Sequence, residues 1–154
     1  FKDKKAASES TTGGVGEGAG GPRVVLRLGG PGTVTDLCWH RKGDYLATVL
    51  SQTSPHTVTI HQVSRRQTQA PFRRPKGQVQ RVCFHPSKPF LFVATQTSVR
   101  VYHLIKQMLM KRLLTGCKWI SAMDIHPTGD HVLVGSYDRR VVWHDLDLSV
   151  KPFK

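Results

Sequence analysis

Asp124-Ile125-His126-Pro127-Thr128-Gly129-Asp130-His131-Val132-Leu133-Val134-Gly135-Ser136-Tyr137-Asp138 decides the fold of this chain. An apolar residue, a histidine, a four-residue polar turn and an alternating aliphatic run read as strand, turn, strand. Pro127 and Gly129 supply the preset and the permissive backbone that a tight turn needs. The same pattern occurs twice upstream. Val34-Thr35-Asp36-Leu37-Cys38-Trp39-His40 and Val79-Gln80-Arg81-Val82-Cys83-Phe84-His85 match Ile120-Ser121-Ala122-Met123-Asp124-Ile125-His126. In each, apolar residues stand six, three and one positions before the histidine. Arg41-Lys42-Gly43-Asp44 and Pro86-Ser87-Lys88-Pro89 take the place of the Pro127–Asp130 turn, and the histidines lie 45 and 41 residues apart.

Working outward, a second strand is predicted at Tyr45 to Leu50, Phe90 to Thr95 and His131 to Ser136. A third alternates with period two, its inward pairs being Val58 and Ile60, Val99 and Val101, and Val141 and Trp143. Each third strand ends in an aliphatic residue at one offset: Val63, Leu104 and Leu146. A weaker fourth strand is predicted at Gln67 to Phe72 and Met108 to Leu114, and Val24 to Leu28 reads as the last strand of a preceding unit. Leu104 to Leu114 has a helical period as well, but its place in the repeat calls for a strand. Four short antiparallel strands repeating every 40 to 45 residues are the signature of a propeller blade. The fold predicted is all-β: a partial β-propeller of about three four-stranded antiparallel blades, at about 34–76, 79–116 and 120–154. Residues 23–154 form the propeller part. Residues 1–22 are rich in Gly, Ala, Ser, Lys and Glu and read as a disordered low-complexity linker. Three blades do not close a ring, so an exposed sheet face and edge are expected, and the isolated piece is expected to be marginal or aggregation-prone.

Charge gives the second line of argument. The 154 residues carry a formal net charge of +13, and the whole span from Tyr45 to Met123 holds no Asp or Glu. Arg65, Arg66, Arg73, Arg74, Lys76, Arg81, Lys88, Arg100, Lys106, Lys111, Arg112 and Lys118 all fall within it. A long acid-free stretch sustains a positive potential that suits a polyanion such as RNA. Arg65, Arg66, Arg73, Arg74 and Lys76 flank an outer strand, and Lys111 and Arg112 lie on its counterpart in the next blade. These seven are the candidate phosphate contacts. Phe72 is expected to point inward. A surface that instead meets acidic protein segments is the alternative.

Other chemistry finds little support. Three cysteines, two of them at equivalent repeat positions, do not make a disulfide scaffold. Cys38-x-His40 and Cys83-x-His85 invite zinc, but they belong to equivalent strands of neighbouring blades and lack a Cys-x₂₋₄-Cys spacing. Packed cysteines and turn-capping histidines (His40, His85, His126) are expected, with no metal. Trp39, Phe84 and Ile125 share one repeat position and are expected to pack between blades. No nucleophile motif marks an enzyme. No apolar run approaches the ~20 residues of a membrane helix, and nothing resembles a secretory signal, so a reducing intracellular compartment is expected. The start at Phe1 suggests a piece of something longer.

Phe84-His85-Pro86 and Ile125-His126-Pro127-Thr128-Gly129 resemble the strand–turn signature of the WD-repeat family. Gly135-Ser136-Tyr137-Asp138 matches its Gly-Ser-x-Asp, and His144-Asp145 stands where Trp-Asp would be. His61-Gln62 and Tyr102-His103 depart from that dipeptide, and Asp138 alone remains of the family's Asp–His–Ser/Thr–Trp network. Val34 to Lys154 further resembles the C-terminal propeller of the block-of-proliferation family of ribosome-biogenesis factors. His85 to Gln96, Val99 to Leu104 and Asp124 to Asp138 carry that likeness most clearly. The resemblance implies a non-catalytic scaffold of the nucleolus and nucleoplasm. Its implied partners are a pescadillo-type protein, a second WD-repeat protein, and the pre-60S particle with its precursor rRNA. No cofactor or small-molecule substrate is implied.

Overall fold

The structure, a computed structural model, describes residues 32–51, 57–72 and 77–146. Within them the chain forms three antiparallel sheets and no helix. The first takes the order β1 (Val34–Trp39), β2 (Tyr45–Leu50), β3 (Val58–Gln62), β4 (Gln67–Gln69). The second repeats it with β5 (Val79–Phe84), β6 (Phe90–Thr95), β7 (Ser98–His103) and β8 (Met108–Leu114). The third contains β9 (Ile120–Ile125), β10 (His131–Ser136) and β11 (Val141–Asp145). Its fourth strand would fall within 147–154. That stretch, the 1–22 linker and the 24–28 strand lie outside the described residues.

One backbone pattern closes every unit. The amides of His40, His85 and His126 donate to the carbonyls of Tyr45, Phe90 and His131 at 2.8 to 3.0 Å. The amides of Val63, Leu104 and Leu146 then donate back to Asp44, Pro89 and Asp130 at 2.7 to 2.9 Å. The aliphatic residue ending each third strand therefore ties that strand to the turn between the first two. β4 stops at Gln69, short of the expected Phe72. Pro71 has no N–H to continue the ladder, and Phe72 turns inward to stack on Tyr102, ring centroids 4.2 Å apart.

Two cores hold the sheets together, and β6, buried along its whole length, divides between them. Leu91 and Val93 pack with Ala47, Val49 and Val58 of the first sheet. Phe92 and Ala94 pack with Ile120, Ile125, Val132 and Val134 of the third. A strand covered on both faces reads as a continuous apolar run, and Phe90-Leu91-Phe92-Val93-Ala94 is one.

Among the described residues the first and third sheets lack such cover on their outer sides, which corrects three expectations. Phe84 and Ile125 are buried, but Trp39 at the same repeat position is 52% exposed. Val99 and Val101 are fully buried, but Val141 and Trp143 are 72% and 58% exposed. Trp39 faces the side where a preceding blade would stack, beside exposed Val34 and Leu37. Val141 and Trp143 face the side of a following one, beside Leu133. Repeat position sets the direction of these side chains; whether a neighbouring sheet is present sets their burial. Exposed apolar sheet faces, expected of a partial ring, are thus present on the outer sides of the first and third sheets among the described residues.

Candidate polyanion interface and the hub behind it

The innermost strands β1, β5 and β9 adjoin one another. Each carries the same irregularity, a register shift against its partner at Val34/Asp36, Val79/Arg81 and Ile120/Ala122. A bulge of this kind frees backbone groups from the ladder. The inner strands are also sheet edges, and side chains of neighbouring blades bind their outward-facing backbone groups. Asp36 accepts the Val82 amide at 2.7 Å and the Arg81 guanidinium at 3.3 Å. Arg81 also donates through Nε to the Ser121 carbonyl at 2.9 Å. One residue pair thus links all three sheets. Arg81, counted in the basic window, is committed to this bridge.

The histidines cap the turns. Nδ1 accepts the amide two residues on in each blade: Lys42 at 3.3 Å, Ser87 at 3.1 Å and Thr128 at 3.4 Å for His40, His85 and His126. His85 goes further. Its Nδ1 also accepts the Lys88 amide at 2.9 Å, and its Nε2 donates to the Gly129 carbonyl of the next blade at 3.0 Å. Both ring nitrogens are occupied, so the neutral tautomer is fixed and no zinc ligand remains there. His126, at the last such turn among the described residues, is exposed. Among the described residues no three of His, Cys, Asp and Glu gather as a metal set. Asp138 sits at the β10–β11 turn, its carboxylate 3.6 Å from Arg140 and its amide on Ser136 Oγ at 3.5 Å. The Ser136 hydroxyl above all holds that carboxyl below the usual range.

In the first blade, at the dipeptide position that departs from Trp-Asp, His61 is buried among three threonine hydroxyls. Thr48 and Thr59 lie 2.9 and 3.1 Å from Nε2, and Thr68 lies 2.8 Å from Nδ1. Burial lowers the readiness of His61 to protonate, as it does for His40 and His85. The folded state therefore binds fewer protons than the unfolded chain once pH drops through the ordinary histidine pKa of about 6.5. Stability should decline as pH falls from 7 towards 5. Urea midpoints at three pH values check this. A midpoint rising on acidification would contradict the geometry.

The basic residues fall on the outer edge. Arg65 and Arg66 are exposed in the turn between β3 and β4, where Arg66 adopts φ 51°. Gln107 takes the same conformation in the equivalent turn of the second blade, with exposed Lys106 beside it. Arg112 is exposed and Lys111 half-buried on β8, the outermost strand of the second sheet. Arg73, Arg74 and Lys76 lie outside the described residues. The acid-free span is not wholly acid-free in space. Asp44 holds the Arg65 turn from behind, accepting Gln62 Nε2 and the Ser64 amide at 2.9 Å each. Those two donors, Gln62 first, keep its carboxyl below the usual range.

Sequence reasoning missed the Asp36–Arg81 bridge. The signal was present, because the two residues are 45 apart, the repeat interval, and so occupy like positions on neighbouring inner strands.

Antiparallel sheets of four, four and three described strands, joined through their inner strands with one histidine-capped turn per unit, make up a partial WD-type β-propeller. The model of the WD domain, G-beta repeat, matches residues 109–145. Over 129 residues, 84% of its length, the chain is 57% identical to ribosome biogenesis protein BOP1 of Mus musculus. It is 58% identical to ribosome biogenesis protein bop1 of Danio rerio over 144 residues, 91% of the chain. It is 55% identical to ribosome biogenesis protein erb1 of Schizosaccharomyces pombe over 124 residues, 80% of the chain. The chain spans 17 to 18% of the length of these relatives.

Proposed function

We propose that this segment belongs to a non-catalytic scaffold of ribosome biogenesis whose outer basic edge meets precursor rRNA. The observation that carries the reading is the exposure of Arg65, Arg66 and Arg112 on outer turns and strands, within a span lacking any acidic residue. Guanidinium groups on an outer edge are free to reach phosphates from several directions, and each contact releases counterions from the nucleic acid. The names of the relatives support the process. In this reading the protein acts in the nucleolus and nucleoplasm on the pre-60S particle, with a pescadillo-type protein and a second WD-repeat protein as partners. The sheets hold the scaffold together, and Arg73, Arg74 and Lys76 extend the contact.

The test is a titration of the intact protein against a large-subunit precursor rRNA fragment across salt. Wild type is compared with a variant carrying Arg65→Glu, Arg66→Glu, Lys111→Glu and Arg112→Glu. The slope of log K against log salt should flatten by roughly 0.7–0.9 for each phosphate that the variant no longer neutralises. Unchanged slope and affinity, with retained binding to acidic peptides, would assign the edge to protein partners instead.

A further inference from the structure

We propose that Cys38 and Cys83 form a peroxide-sensitive dithiol that closes into a disulfide between neighbouring blades. The two occupy the same repeat position, on β1 and β5, and their sulfurs lie 4.0 Å apart. Disulfide closure brings that separation to about 2.05 Å, a displacement within reach of side-chain rotation. The strands on either side are already fastened, since Asp36 on β1 accepts the Val82 amide of β5. The pair is therefore held in apposition. Both residues are half-buried, so neither is sealed in the core as Cys117 is. Cys117 is buried elsewhere, with its thiol on the Thr115 carbonyl, and takes no part.

The surroundings divide the roles. Hydrogen bonding from the Cys83 thiol draws the Cys38 pKa down to about 7, helped by the Phe84 backbone, while burial, Asp36 and Asp124 oppose it. The same contact, with burial, pushes Cys83 up. The direction of the two shifts favours Cys38 as the attacking thiolate and Cys83 as the resolving thiol, while the 4.0 Å contact lets the pair close from either side. The Cys38 sulfur attacks one oxygen of hydrogen peroxide. The O–O bond breaks, a sulfenic acid forms, and the other oxygen leaves as water after taking a proton. The Cys83 sulfur then attacks Cys38 Sγ and expels the sulfenic oxygen as a second water with the Cys83 proton. Two thiols lose two electrons to one peroxide, giving one disulfide and two waters.

Peptide mapping of the intact protein after exposure to a few equivalents of hydrogen peroxide tests this. Remaining thiols are alkylated under denaturing conditions. The expected result is a mass loss of two hydrogens, a Cys38–Cys83 linked peptide, and full alkylation of Cys117. In Cys83→Ser, Cys38 should instead accumulate as a sulfenic acid captured by dimedone. Cys117→Ser should leave the link intact. Full alkylation of Cys38 and Cys83 in peroxide-treated wild type overturns the proposal. So does over-oxidation of Cys38 without a link, or a link only between molecules. The wild-type map decides even if a variant does not fold.

Discussion

Replacing Gly129 with alanine is expected to disrupt the seam between the second and third blades. Gly129 holds φ +85°, a region that costs an L-residue roughly 1–2 kcal/mol. A Cβ there would collide with the His85 imidazole, which is buried to 1% exposure and pinned at both nitrogens. A rigid ring with no free direction yields only by breaking its bonds, and overpacking of this kind typically adds about 1–3 kcal/mol. Gly43 supplies the comparison. Its φ is +74°, but a Cβ added there meets nothing within 4 Å. Gly43→Ala should therefore show the backbone cost alone. Hydrogen exchange at the Ser87 and Lys88 amides, both bound to His85 Nδ1, is the direct readout. Their protection should fall roughly 100-fold in Gly129→Ala, given about 1.4 kcal/mol per tenfold. Equal protection in the two variants would show that the ring is not held as described.

Phe92→Ala should be the most damaging truncation. Phe92 is fully buried between the second and third sheets, and its ring stacks near His85 at 6.2 Å. Removing a buried phenyl ring costs about 3–5 kcal/mol, against a total stability of about 5–15 kcal/mol for an ordinary domain. The variant should be recovered mainly as aggregate, while Phe92→Leu, which keeps most of the volume, should stay soluble with a lowered urea midpoint. Matched midpoints for wild type and Phe92→Ala would mean that the interblade core is not closely packed.

The parts of this fold readable from sequence rest on local pattern and on its recurrence along the chain. Tyr45–Leu50, Phe90–Thr95 and His131–Ser136 lie where the alternation and turn residues put them. Met108–Leu114 is a strand despite its helical period, because the repeat overrides a local signal. Burial was less readable. Trp39, Val141 and Trp143 have the pattern of core residues, and only the presence or absence of an adjoining sheet distinguishes them from Phe84, Val99 and Val101. The shared bulge was hidden too, since nothing in Thr35, Gln80 or Ser121 announces it; it follows from how the inner strands meet. The basic edge was legible as composition. Its true extent in space needed the positions of Asp36 and Asp44, both outside the acid-free span but folded against Arg81 and the Arg65 turn.

The contact between His85 and Gly129 also limits what can be exchanged. The third residue after the histidine is Gly43 in the first repeat, Lys88 in the second and Gly129 in the third. His85 therefore depends on a glycine belonging to a different unit. A third blade rebuilt from the sequence of the second would place a lysine under that imidazole. These repeats look interchangeable along the chain, yet the junction between the second and third is specifically matched. At this junction the chain can be recombined only by a cut beyond Gly129, so that His85 travels with the turn that seats it.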